Sequence, residues 1–182
     1  MFLQHDSMYA ASAVLCALIG AAYDVKDRRV PNFLTGPALV FGLALHASFG
    51  GWRDLATAAL AGVACGLVFL VFYLAGGMGA GDVKLIAAVA CIAGLQRVGH
   101  LLILTALAGG AMALLLVLVR GRFRETAANV GALFAHHREK GLTPHPELNV
   151  LNTRTLRLPY AVAIATGSVL TLCLLVAKEM NA

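Results

Sequence analysis

Six apolar stretches, broken by short polar segments, set the pattern of this chain: Met8–Tyr23, Phe33–Phe49, Leu55–Ala75, Asp82–Leu95, His100–Val119 and Leu158–Ala177. At 1.5 Å per residue most of them approach the ~30 Å core of a bilayer. Helical periodicity separates their faces poorly, as expected for helices that are apolar nearly all round. The fourth stretch is short, about 21 Å long, and admits a re-entrant half-helix as well as a full crossing. The expected architecture is all-α: a polytopic membrane helix bundle of six transmembrane helices in a single domain, residues 1–182.

Composition agrees. Of 182 residues, 60% are hydrophobic and 13% charged, and the mean hydropathy is +0.82. A chain this size cannot hide so much apolar surface in water, which excludes a soluble globular or disordered protein. Tyr9, Tyr23, Trp52, Tyr73 and Tyr160 fall near the proposed span ends, where amphipathic rings anchor. The N-terminal segment has no basic stretch before its apolar run, so it reads as a retained first span rather than a cleaved signal.

Charge sets the topology. The net charge is +5. With six spans and the N-terminus outside, Lys26, Arg28, Arg29, Lys84, Arg120, Arg122, Arg124, Arg138, Lys140, Arg154 and Arg157 face inward, leaving Arg53, Arg97 and Lys178 outside. If the fourth stretch did not cross, the strongly basic 120–157 loop would face outward against that rule. The charge therefore reads as membrane topology, and no nucleic-acid partner is expected: basic residues are not interleaved with aromatics. The first half of the 120–157 loop mixes Phe123, Ala127, Val130, Leu133 and Phe134 with basic residues and is expected to form an amphipathic helix on the inner surface. Its second half, with two prolines, reads as irregular. Cys16, Cys65, Cys91 and Cys173 lie within apolar runs without a C-x-x-C pair and read as small buried hydrophobes. Adjacent His136 and His137 point different ways on a helix, so no metal site is expected there.

Two acids stand apart. Asp6, Asp54, Glu125, Glu139, Glu147 and Glu179 read as solvated residues of tails and loops. Asp24 closes the first run, in Tyr23-Asp24-Val25-Lys26-Asp27-Arg28-Arg29-Val30-Pro31-Asn32. Asp82 opens the fourth, in Gly76-Gly77-Met78-Gly79-Ala80-Gly81-Asp82-Val83-Lys84. Ionisable groups at membrane depth are costly and point to function. The charge count puts both on one membrane side although they are 58 positions apart. Facing carboxylates suit aspartic proteolysis, one accepting a proton from water and the other donating to the scissile carbonyl. The helix ends would divide these roles, Asp82 meeting a positive helix start and Asp24 a negative helix end. Taken singly, each acid also has a plain reading: Asp24 as a helix-end residue among cytosolic charges, Asp82 as an N-cap. The glycines before Asp82 leave backbone open to close approach, so that a substrate strand would share main-chain hydrogen bonds.

Gly79-Ala80-Gly81-Asp82, completed by Lys84, together with the Asp24 to Pro31-Asn32 block, resembles the type IV prepilin peptidases, membrane aspartic proteases of the G-x-G-D class, and most of all their short tight-adherence (Flp pilus) form. Arg157-Leu158-Pro159-Tyr160-Ala161 is similar to the family's Pro-Tyr entry to the last helix. The resemblance implies cleavage of leader peptides from prepilin or pseudopilin substrates, just before their hydrophobic N-terminal helix, on the cytoplasmic side of the bacterial inner membrane. It implies Asp24 and Asp82 as the catalytic pair, with Asp27 the rival for the first position. Gly79, Gly81, Lys84, Pro31 and Asn32 would bind substrate or shape the site. Long members carry an N-terminal insert with paired C-x-x-C motifs linked to methylation of the new N-terminus. This chain has neither, so the expectation is a peptidase without methyltransferase activity, without zinc and without any cofactor. The rival readings are a small transporter, which would show an inverted repeat and mid-membrane acids, and a presenilin-like protease, which would show a Pro-Ala-Leu element where Leu158-Pro159-Tyr160 stands. Oligomeric state is left open.

Overall fold

A computed structural model describes residues 2–146, 148–149 and 158–181, with side chains throughout except at 2–5 and 179. Its helices are α1 (Phe2–Asp27), α2 (Asn32–Leu74), α3 (Ala80–Ala93), α4 (Val98–Arg120), α5 (Phe123–Lys140) and α6 (Tyr160–Met180), with a short 3-10 turn at Leu95–Arg97 before α4. The described residues contain no strand. Four segments are long and apolar enough to cross a membrane: Asp6–Asp27, Asn32–Leu74, Leu95–Arg120 and Tyr160–Lys178. The protein is a membrane helix bundle.

α2 joins the two runs expected at Phe33–Phe49 and Leu55–Ala75. Its 43 residues would reach about 65 Å if straight, twice a bilayer core. They do not run straight, because Gly51 breaks the helix with φ 68° and ψ −158°, a backbone that glycine adopts readily. Trp52, 78% exposed, marks the corner. Both arms pack on α3. In the first, Gly42 sits against the Ile92 backbone; in the second, Gly62 sits against the Ala87 carbonyl and Gly66 against the Ala87 methyl. The contacts descend α3 along one arm and climb it along the other, so α2 is a helical hairpin and supplies two passes.

α3 is the shortest pass and the most enclosed. Leu85, Ile86, Ala88, Val89 and Ala90 have no exposed surface. Surrounded by protein, it need not match the full lipid thickness. It ends at Ala93 rather than at the expected Leu95, because Gly94 turns out of the helix at φ +83°. α1 and α4 each pack against α6, and α1 also packs against α3. Gly167 of α6 brings the α4 backbone at Thr105 to within contact of its own.

The amphipathic helix expected in the basic loop is α5. It buries no residue, and Phe123, Val130 and Phe134 are exposed. Glu147, Arg154 and Arg157 lie outside the described residues. Two expectations are corrected. Tyr9 is not an interfacial anchor: it is buried and stacks on His46 with ring centroids 4.1 Å apart. Cys173 is exposed on α6, whereas Cys16, Cys65 and Cys91 are buried as expected.

Candidate active site

The first acid sits one turn before the end of α1. The Arg28 amide donates to the Asp24 carbonyl at 2.9 Å, and Arg28 takes a left-handed φ of 54° that stops the helix. The chain then reverses within three residues. Pro31, in extended conformation, caps α2, and its carbonyl accepts the amide of Leu34 at 3.1 Å. This sharp turn tucks Val30 inward, where it is buried.

The second acid sits in the first turn of α3. Asp82 folds back so that its Oδ2 accepts the Gly79 amide at 3.2 Å, while its own amide donates to the Gly79 carbonyl at 3.1 Å. This reciprocal pair locks the G-x-G-D turn and fixes the carboxylate.

The two turns are clamped together. Gly81 lies against Val30 so closely that an added Cβ would stand 3.2–3.3 Å from the Val30 Cβ, amide and carbonyl. A Cβ here would press on Val30, which would have to give by a few tenths of an ångström for the turns to stay together. Lys84 Nζ donates to Asn32 Oδ1 at 2.9 Å across the same seam. Lys84 thus ties the start of α3 to the start of α2. Gly79, Gly81, Lys84, Pro31 and Asn32 all lie where the α1–α2 turn meets the start of α3.

A third element completes it. The Ala161 amide, in the first turn of α6, donates to Asp24 Oδ2 at 3.3 Å across 137 positions. Tyr160 beside it lies within electrostatic reach of Asp82, and Asp82 within that of Asp24. Asp24 and Asp82 are 8% and 9% exposed, whereas Asp27 is exposed. The structure therefore gathers Asp24, not Asp27, with Asp82. Each carboxylate accepts an amide at the start of a helix, so the helix ends alone do not divide the roles as expected.

The idea of a free glycine backbone beside Asp82 needs correction. The amides of Gly76, Gly77, Gly79 and Asp82 are engaged, with the carbonyls of Tyr73 and Phe72, the Asp82 carboxylate and the Gly79 carbonyl. Gly81 is covered by Val30 and Gly76 by Pro144 and Asn149.

Sequence reading missed a second polar cluster, at the opposite end of α1. Asp6, taken for a solvated tail residue, pairs with Arg97 at 2.6 Å. Arg97 is buried and also donates to the Ala93 carbonyl. His46, buried beside them under Tyr9, meets the Ile92 carbonyl through Nε2 at 3.1 Å. The only sequence signal was an arginine and an aspartate next to apolar runs.

No curated protein and no solved structure matches the chain. The sequence profile of the type IV leader peptidase family matches residues 11–114, a span that holds both Asp24 and Asp82 together with their flanking turns. The chain belongs to the type IV leader peptidase family.

Proposed function

We propose that this protein is an aspartic endopeptidase that removes the leader from prepilin or pseudopilin precursors, with Asp24 and Asp82 as its catalytic pair. The observation that carries the reading is the convergence of these two acids: 58 residues apart, both buried, each held by a backbone amide, and within electrostatic reach of one another. In the reaction, one carboxylate takes a proton from a water whose oxygen attacks the scissile carbonyl. The other, protonated, donates to the carbonyl oxygen; as the C–N bond then breaks, the first acid passes the proton it took from water to the leaving amine, and the second takes back a proton from a hydroxyl of the diol. The site works on the cytoplasmic face of a bacterial inner membrane, as the basic residues beside it (Lys26, Arg28, Arg29 and Lys84) support. It needs no cofactor or metal and does not methylate the product, so adding zinc or S-adenosylmethionine leaves turnover unchanged.

The test is co-expression with a pilin precursor, following its electrophoretic shift. Wild type cleaves; Asp24→Asn and Asp82→Asn remain inserted and do not, a loss of roughly 10²–10⁴-fold or more in rate; Asp27→Asn cleaves. Cleavage surviving Asp24→Asn would move the first acid to Asp27. Inserted wild-type protein that leaves every precursor intact would end the reading.

A further inference from the structure

α3 leads away from the acid pair and α4 returns. α4 has 23 residues, about 35 Å, enough to cross a bilayer, so its end at Arg120 comes out on the membrane side where α3 begins. Gly121, at φ 64°, turns the chain out of α4, and α5 starts two residues later at Phe123. The start of α5 is thereby fixed at the depth of the lipid headgroups, although the helix itself stands outside the bundle.

Helix geometry sorts the side chains of α5 at about 100° per residue. Phe123, Ala127, Val130 and Phe134 fall in one stripe, about 16 Å long. Its three large side chains are 63%, 61% and 73% exposed. Arg124 and Arg138 border the stripe on one flank, and Lys140 lies on the other. Glu125 and Glu139, the two acids of the helix, both fall on the face opposite the stripe, where Glu125 meets Arg122 at 3.5 Å. The segment that follows α5 packs elsewhere: His136, about 200° round from Phe134, meets the Thr143 carbonyl through Nε2 at 3.1 Å and stands edge-on to His145. Among the described residues, the chain's own return leaves the stripe open.

We infer that α5 lies flat on a leaflet rich in anionic lipid and binds it selectively. The stripe enters the boundary between headgroups and acyl chains, the flanking Arg124, Arg138 and Lys140 meet lipid phosphates, and the acids face water. Charge commits the surface to this occupant. A zwitterionic leaflet would cover the stripe but give the basic flanks no net negative surface to meet. A second copy laid stripe to stripe would bring basic flanks together. The placement of both acids away from the stripe is the arrangement that a negative surface favours. This inference goes beyond the peptidase reading and does not depend on it.

The test uses the full chain in lipid nanodiscs. Trp52→Phe with Phe134→Trp leaves a single tryptophan, on the stripe. Discs are made of phosphatidylcholine with or without phosphatidylglycerol, each with a brominated phosphatidylcholine tracer as quencher. Quenching should be about twofold or more stronger with phosphatidylglycerol, and molar salt should remove the gain. Replacing Arg124, Arg138 and Lys140 by Gln should abolish the gain, since each basic residue near the surface is worth about fivefold in affinity. In the unsubstituted protein, α5 amides should exchange about fivefold or more slowly with phosphatidylglycerol than without. Equal, salt-insensitive quenching in both lipids would show that the stripe alone seats the helix, and overturns anionic selectivity. Quenching in neither lipid, with unchanged amide exchange, would put α5 off the membrane and overturn the inference. Tryptophan shielding without bromine quenching, seen only in discs that hold two copies, would assign the stripe to a second copy and overturn it as well.

Discussion

The Ala161 amide donates to the Asp24 carboxylate, so the first turn of α6 holds an acid that belongs to α1. A hydrogen bond to a charged group contributes roughly 1.5–3 kcal/mol, and proline is tolerated in the first turn of a helix, where its missing amide has no helical partner. Ala161→Pro should therefore lower kcat by about ten- to a hundredfold while α6 still forms. Ala161→Gly keeps the amide and serves as control. Melting of the detergent-solubilised variants distinguishes a lost contact from a lost fold. A folded Ala161→Pro with wild-type kcat would remove this amide from the site.

The seam between the two motif turns makes a separate prediction. Lys84 and Asn32 meet at 2.9 Å on an exposed edge, so each single substitution, Lys84→Met or Asn32→Ala, should cost about 1 kcal/mol of stability or less. Their effect on activity should be larger, about three- to tenfold in kcat/KM, because they hold the Val30 turn against Gly81 and thereby the spacing of the acids. The double variant should be no worse than the poorer single one. Additive losses in a double-mutant cycle would show that the two residues act independently.

The acids and the passes were legible in the sequence for a physical reason: each is a local signal. Asp24 and Asp82 carry their motifs within nine residues, and hydropathy alone marks the apolar runs. Signals that need a distant partner were not legible. Asp6 and Arg97 lie 91 positions apart, and neither flank announces a buried pair. Tyr9 has the composition of an interfacial anchor until His46 is placed beside it. Ala161 acts through its backbone, which has no sequence signature, although the neighbouring Pro159-Tyr160 was noticed. The end of α3 was misplaced by two residues because Gly94 stops the helix while the hydropathy continues through Leu95.

Two glycines far from the acids should respond in opposite directions to alanine. At Gly167 an added Cβ would stand 2.6 Å from the Thr105 amide nitrogen and 2.8 Å from its Cα, so α4 and α6 must separate. Gly167→Ala should cost about 1–3 kcal/mol, seen as a lower melting temperature. At Gly131, inside α5, an added Cβ meets nothing within 4 Å. Gly131→Ala should stabilise that helix by about 0.5–1 kcal/mol, read as slower amide exchange in α5, since α5 stands outside the bundle core. Faster exchange in Gly131→Ala would show that this glycine has a contact that the fold does not explain.

The Asp6–Arg97 pair is asymmetric, and the asymmetry ranks its variants. The Arg97 side chain is 9% exposed and the Asp6 side chain 34%. Asp6→Ala leaves a guanidinium in the bundle with its Nε already lacking a partner, and should cost about 3–5 kcal/mol. Arg97→Met replaces the cation with an apolar chain of similar length and leaves a carboxylate that water can reach, so it should cost about 1–2 kcal/mol. The pair lies 18 positions before Asp24 on α1, about 27 Å along the helix. Both variants should therefore lose melting temperature in that order while each folded molecule keeps its kcat. Thermal melting and active-site titration in the same detergent check both parts. Equal melting temperatures for Asp6→Ala and wild type would show that the pair does not hold α1 to the turn after α3, and a fall in kcat per active molecule would show that this end of the bundle is coupled to the acids.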